Sequence, residues 1–127
     1  MDSTKLDDGE LVIRTLAMPA DTNINGDIFG GWILSQMDIG GSILAHKITK
    51  GKTVTVAIDS MQFISPVAIG DTICIYAKLI KLGNTSLKLN IKTYVTRKYT
   101  DNREIVTQAE FTYVNIGEDG KPKAINQ

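Results

Sequence analysis

One acid stands alone in the longest apolar stretch of the chain. Asp38 is the only acidic residue between Phe29 and His46. Asp is a poor residue for the middle of a helix. A carboxylate removed from water is also costly unless it has partners. Two readings follow. Asp38 is a functional carboxylate, able to take a proton or attack an electrophile, or it lies on a solvent-facing stripe with Ser35, Gln36 and Ser42. Just upstream, Phe29-Gly30-Gly31 opens the same stretch. A helix beginning there presents free backbone N–H groups at the positive end of its macrodipole. Such groups can hold a carbonyl oxygen as it becomes an oxyanion, and losing one donor typically costs ~10²–10³ in rate. The competing reading is a glycine-rich loop needed only for tight packing.

Spacing sharpens the first pair of readings. Gly31 and Asp38 are seven positions apart, so on a helix they lie nearly on one face. At the helical rise they are ~10 Å apart along the axis. One carbonyl cannot easily sit ~3 Å from both. If both act on one reacting group, they come from different chains, with two helices packed antiparallel. This predicts an obligate dimer with two equivalent sites at its interface.

Other polar residues are less pointed. Asn23, Asn25 and Asp27 crowd the loop before the helix. Asp27 either supports a site or stabilises the helix start as a nearby anion. His46 is a dipole partner or a surface residue, and Asp59 sits in a strand. Thr85, Ser86 and Lys88 suit phosphate contact or plain hairpin duty. Lys47, Lys50 and Lys52 read as a solvated loop. Cys74, flanked by Ile73 and Ile75, reads as a buried strand residue. With one Cys and one His in the chain, there are too few for an ordinary zinc site.

The elements that must position these groups follow from periodicity. Residues 1–9 read as a flexible N-terminal tail and Leu11–Leu16 as a first strand. Met18 to Asp27 is dense in Pro, Asp, Asn and Gly, with a turn at Asn25-Gly26. Trp32 to His46 reads as one long helix. Ile33, Met37 and Leu44 share one side, and Ile39 and Ile43 another. A helix apolar nearly all round is expected to be buried. Its Gly40-Gly41 pair lets a neighbouring backbone or ligand come close. After Lys52 the period becomes alternating. Strands are predicted at 53–63, 72–80, 86–95 and 104–115, with a Gly83-Asn84 hairpin turn. The single domain spans 10–116, and 117–127 is a C-terminal tail. One strand, one helix and four antiparallel strands define an α+β fold, in which a curved sheet of about five strands wraps one long central helix.

Bulk properties narrow the field. The chain has 127 residues, 43% hydrophobic and 22% charged, which suits one globular domain. Fourteen basic and fourteen acidic side chains cancel. That balance argues against nucleic-acid or membrane binding driven by bulk charge. No apolar leader or transmembrane-length stretch is visible, so a cytoplasmic protein is expected.

The run Asp21-Thr22-Asn23-Ile24-Asn25-Gly26-Asp27-Ile28-Phe29-Gly30-Gly31-Trp32 resembles the hotdog-fold acyl-CoA thioesterases, most of all the bacterial YciA type. The likeness continues through Gly41, Val54-Thr55-Val56-Ala57 and Phe63 to Asp71, and spans about Leu11 to Val114. It implies hydrolysis of acyl-CoA to free CoA and a carboxylic acid, without metal or cofactor. It implies a hotdog fold and dimers with a continuous sheet, assembled into homohexamers. It assigns Asp38 as the catalytic acid and Gly30 and Gly31 as donors to the thioester carbonyl. Asp27 takes a supporting role. Asn23, Phe29, Thr85 and Ser86 are candidate substrate contacts. The position after Gly83 is often basic in close relatives and is Asn84 here. The rival reading is a non-catalytic acyl-CoA-binding hotdog module. A hotdog dehydratase fits poorly, because His46 lies at the wrong end of the helix.

Overall fold

The alternating residues of the second half of the chain do build one antiparallel sheet. A computed structural model describes residues 8–125. Its order is β1 (Glu10–Leu16), a 3-10 turn (Pro19–Asp21), α1 (Gly30–Thr49), β2 (Lys52–Phe63), β3 (Thr72–Leu82), β4 (Ser86–Thr96) and β5 (Arg103–Ile116). Across the sheet the strands run β1-β3-β4-β5-β2, every neighbour antiparallel. In β4 the residues Leu87, Leu89, Ile91, Thr93 and Val95 are buried, while Lys88 and Lys92 alternate with them. The buried face meets Ile33, Met37, Leu44 and Ala45 of α1 in one core with Ile73, Ile75, Phe111 and Tyr113. Ile33, Met37 and Leu44 each contribute ~1.5–3 kcal/mol on burial, so this one face of α1 anchors the helix.

The helix ends are set locally. Phe29 is extended (ψ 128°) and supplies no side-chain cap, and Lys50 closes the other end in the left-handed region (φ 55°) with its N–H on the His46 carbonyl. His46 Nδ1 lies 2.9 Å from the Gly51 carbonyl, so this histidine serves the helix exit. Lys47 pairs with Glu10 of β1. The free thiol of Cys74 is buried, as its apolar neighbours predict. Among the described residues no helix is long and apolar enough to cross a membrane.

Three expectations need correcting. The helix is not enclosed all round, because the sheet covers one side and leaves Ile39 and Ile43 half exposed. The glycine pair admits side chains rather than backbone or ligand. A Cβ on Gly41 would lie 2.2 Å from the Tyr113 hydroxyl, and one on Gly40 would lie 2.7 Å from Val12 Cγ2. The supposed tails are also partly built into the domain. Residues 1–7 lie outside the described residues, but Asp8 is buried and pairs with Lys92 at 3.2 Å. At the other end Ile116 bridges Pro122, the Lys123 N–H bonds the Asn115 carbonyl, and the Ile125 N–H bonds the Asn84 carbonyl.

Candidate active site

The loop before α1 is closed by its own polar residues. Asn23 Oδ1 accepts the N–H groups of Asn25 (2.8 Å) and Asp27 (3.2 Å). The Asn23 N–H returns to the Asp27 carbonyl at 2.7 Å, and Gly26 takes the positive φ (82°) that this turn requires. The loop is tied down by Ile28 N–H to the Val67 carbonyl (2.8 Å) and Phe29 N–H to the Asp21 carbonyl (2.6 Å). The chain is thereby delivered into α1 at a fixed angle.

At that point two donors are left over. The Trp32 and Ile33 N–H groups turn back to the Phe29 carbonyl. The Gly30 and Gly31 amides have no acceptor among the described residues. A cleft of about 290 Å³ opens beside them, lined by Asn23, Asp27, Gly30, Phe63, Ser65 and Pro66 among others. A Cβ on Gly30 would touch the Phe63 ring at 3.3 Å, and one on Gly31 would overlap the Phe29 ring at 2.6 Å. Two exposed aromatic rings therefore flank the helix start and pack closely on its two glycines. Asp27 makes no capping hydrogen bond to the helix.

The far wall of the cleft is held by a buried ion pair. Asp71, 2% exposed, accepts the Ala68 and Lys98 N–H groups and Arg97 Nη1 at 2.8 Å. Arg97 also donates to the Pro66 carbonyl at 2.9 Å. Burial alone would raise the Asp71 carboxyl. The Ala68 N–H, the Arg97 guanidinium and the Lys98 N–H outweigh it and hold the group below the ordinary carboxylate value.

Asp38 sits two turns further along α1, not in this cleft. It shares a helix face with Ser35 and Ser42, whose hydroxyls bond back to the Trp32 and Ile39 carbonyls, but its carboxylate is tethered to the sheet rather than left to solvent. Its Oδ1 accepts Thr55 Oγ1 at 2.6 Å and the Tyr113 hydroxyl at 3.0 Å. Oδ2 has no hydrogen-bond donor among the described residues. Thr55 and Tyr113 are register partners on β2 and β5. Burial, the Asp38 charge and the hydrogen bond to it push the Tyr113 phenol far up, despite a small opposing effect of Thr55. That phenol keeps its proton and shares it between the Asp38 carboxylate and the Asp38 carbonyl at 3.1 Å.

One chain thus brings Asn23, Asp27, Gly30, Gly31 and Phe29 together and leaves Asp38 apart. Thr85 and Ser86 lie elsewhere again, in the β3–β4 turn, where the Gly83 N–H bonds the Ser86 carbonyl and the Asn115 N–H bonds the Thr85 carbonyl. A recess of about 210 Å³ there is lined by Lys81, Ser86 and Lys88. Another recess, about 430 Å³, is at the helix exit among Lys50, Lys52, Asn115 and Lys123, apart from Asp38 and the helix start. Thr55 and Tyr113 were not foreseen as site residues. Their sequence signals were indirect: the Gly40-Gly41 pair marks a close approach without saying by what, and Thr55 falls within the Val54-Thr55-Val56-Ala57 run of the family likeness.

Comparison with known proteins supplies the family. Residues 25–96 match the model of the thioesterase superfamily. The acyl-CoA thioester hydrolase YciA of Salmonella typhimurium is 52% identical over 98% of this chain and 95% of its own length. The hexameric thioesterase y2039 of Yersinia pestis is 55% identical with a TM-score of 0.90, covering 94% of this chain and 97% of its own. A hexameric hotdog fold thioesterase of Campylobacter jejuni is 41% identical with a TM-score of 0.88, covering 94% and 92%. The acid-bearing helix and the sheet that cradles it are therefore those of a hotdog fold, and the chain belongs to the thioesterase superfamily, among its YciA-type acyl-CoA thioester hydrolases.

Proposed function

We propose that this chain hydrolyses acyl-CoA to CoA and a carboxylic acid at sites shared between two copies. One copy supplies Asp38, and the other supplies the Gly30 and Gly31 amides. The observation that carries this is the separation within one chain of a clamped carboxylate from a helix start with two unpaired donors. Each half lacks what the other has.

The surface supports the pairing. β2 is an edge strand with Val54, Val56 and Ile58 exposed, and Ile39 and Ile43 of α1 are exposed as well. An unpaired apolar edge of this length is a template for another strand. Two β2 strands paired antiparallel about a two-fold axis continue the sheet and set the two helices antiparallel. Each helix start then approaches the other copy's Asp38. The hexameric relatives fit further assembly of such dimers.

In this reading the glycine amides hold the thioester oxygen as negative charge develops on it. Asp38 either draws a proton from water or attacks the carbonyl to give a transient anhydride. CoA thiolate leaves without strong acid assistance. Asp27 and Asn23 border the reacting carbonyl, with the Phe29 ring as an apolar wall. Thr85 and Ser86, with Lys81 and Lys88 beside them, are assigned to the nucleotide end of CoA. The test is Asp38→Asn in a thiol-release assay over short, medium and long acyl-CoAs. Turnover should fall ~10²-fold or more. Near-normal rates would remove Asp38 from the reaction.

A further inference from the structure

The acid is held from beneath by a group that lies in the core. Tyr113 is fully buried (0% exposed), yet its hydroxyl reaches through the sheet-facing side of α1 to Asp38. It contacts Oδ1 at 3.0 Å and the Asp38 carbonyl at 3.1 Å. Its ring is fixed between register partners Leu87 on β4 and Thr55 on β2, and stacks on Phe111 at 6.3 Å with 15° between the planes. The approach is possible only because residue 41 has no side chain, since a Cβ there would lie 2.2 Å from this hydroxyl.

We infer that Tyr113 is a positioning residue for Asp38, aiming its free carboxylate oxygen at the reacting centre, and that Gly41 is the gap through which it does so. The physical case concerns one torsion. The terminal torsion of an Asp is broad and roughly two-fold, so an untethered carboxylate swings between orientations. Two hydroxyl donors on the same oxygen remove that freedom. Thr55 binds Oδ1 from the exposed edge strand and Tyr113 binds it from the core. Oδ2 is left as the basic or nucleophilic atom with a defined direction. The Tyr113 ring is fully buried and cannot move without repacking the core, which makes it the rigid member of the pair. Tyr113 therefore sets the reference position. The hydroxyl does not touch substrate and gives up no proton.

This rests on Asp38 being the reactive acid, so the test separates the two claims. Tyr113→Phe, Asp38→Asn and the double variant are compared as assembled enzyme in the thiol-release assay. Tyr113→Phe should lower kcat by about 10- to 100-fold, as a misplaced catalytic group does, with KM changed less than about twofold. In the Asp38→Asn background the same change should cost nothing further, because there is no reactive carboxylate left to aim. A general loss of packing would instead reduce both backgrounds alike. If Asp38→Asn retains activity, the proposed function itself fails. If Asp38→Asn is inactive and folded Tyr113→Phe keeps wild-type kcat, the positioning role alone is overturned. Should Tyr113→Phe not fold, Thr55→Val on the exposed strand decides the matter. A kcat several-fold below wild type supports the two-donor clamp, and an unchanged kcat overturns it.

Discussion

Replacing Gly41 with alanine sets two effects against each other, and the structure says which wins. Alanine in place of glycine inside a helix is worth ~1 kcal/mol of added stability. Here the new methyl would stand 2.2 Å from the Tyr113 hydroxyl, 2.5 Å from Ile91 Cδ1 and 3.0 Å from Tyr113 Cζ. The Ile91 terminus can rotate away, but the tyrosine ring is locked in the sheet. Overpacking of this kind costs ~1–3 kcal/mol, and a hydrogen bond to a charged acceptor is worth ~1.5–3 kcal/mol. The net expectation for Gly41→Ala is a loss of about 1.5–5 kcal/mol, combining those two costs against the propensity gain. Urea unfolding at fixed protein concentration reads it. The chain has 127 residues, and for a domain of this size the thermal midpoint should fall by roughly 10 °C. Gly41→Ala combined with Tyr113→Phe should be more stable than the two separate losses add up to, by about 1 kcal/mol or more, because the atom at 2.2 Å is gone. Gly40→Ala is the control, since its nearest neighbour is a Val12 methyl on an edge strand that can yield. A Gly41→Ala enzyme as stable and active as wild type, or strict additivity with Tyr113→Phe, would refute the close-approach argument.

Two other outcomes are expected. Asp71→Asn should cost about 3 kcal/mol at pH 7, since it takes from Arg97 its buried partner and leaves only the exposed Glu104. The folded-state value of Asp71 lies below its unfolded value. Its stabilisation is thus complete above the unfolded carboxylate range and is lost as pH falls through the lower, folded value. The gap between wild type and Asp71→Asn in urea melts should close in acid, and a gap constant from pH 7 to 3 would contradict the assignment. Val56→Lys places a charge at an edge-strand position that is 54% exposed in one chain, so it should split the assembly in analytical ultracentrifugation and abolish turnover at nanomolar enzyme. A variant that sediments like wild type would argue against β2 as the pairing edge.

Local signals carried much of this architecture. The alternation of Leu87, Leu89, Ile91 and Val95, the Gly83-Asn84 turn and the apolar helix face all act between near neighbours in the chain. Each appears in the structure within a few residues of where periodicity puts it. Strand order was not legible in the same way. That β5 lies between β4 and β2, leaving β2 at the edge, depends on pairings such as Val54 with Val114 that no local pattern encodes. The same limit governs the candidate site. Asp38 stood out as a solitary acid, but its tethering by Thr55 and Tyr113 spans 17 and 75 positions of sequence. Asp8 was misjudged for a related reason, because its lysine partner lies 84 positions away.

The segment after β5 changes what the β3–β4 turn is. Ile125 is buried and its N–H caps the Asn84 carbonyl, while Asn115 grips the carbonyls of Lys123 and Ala124. Residues 122–125 are thus a strap across the turn that bears Thr85 and Ser86. Cutting the chain ahead of Lys123 would unbuckle a loop some forty positions upstream, so a truncation chosen to trim an apparently idle end would instead loosen the corner assigned to the nucleotide.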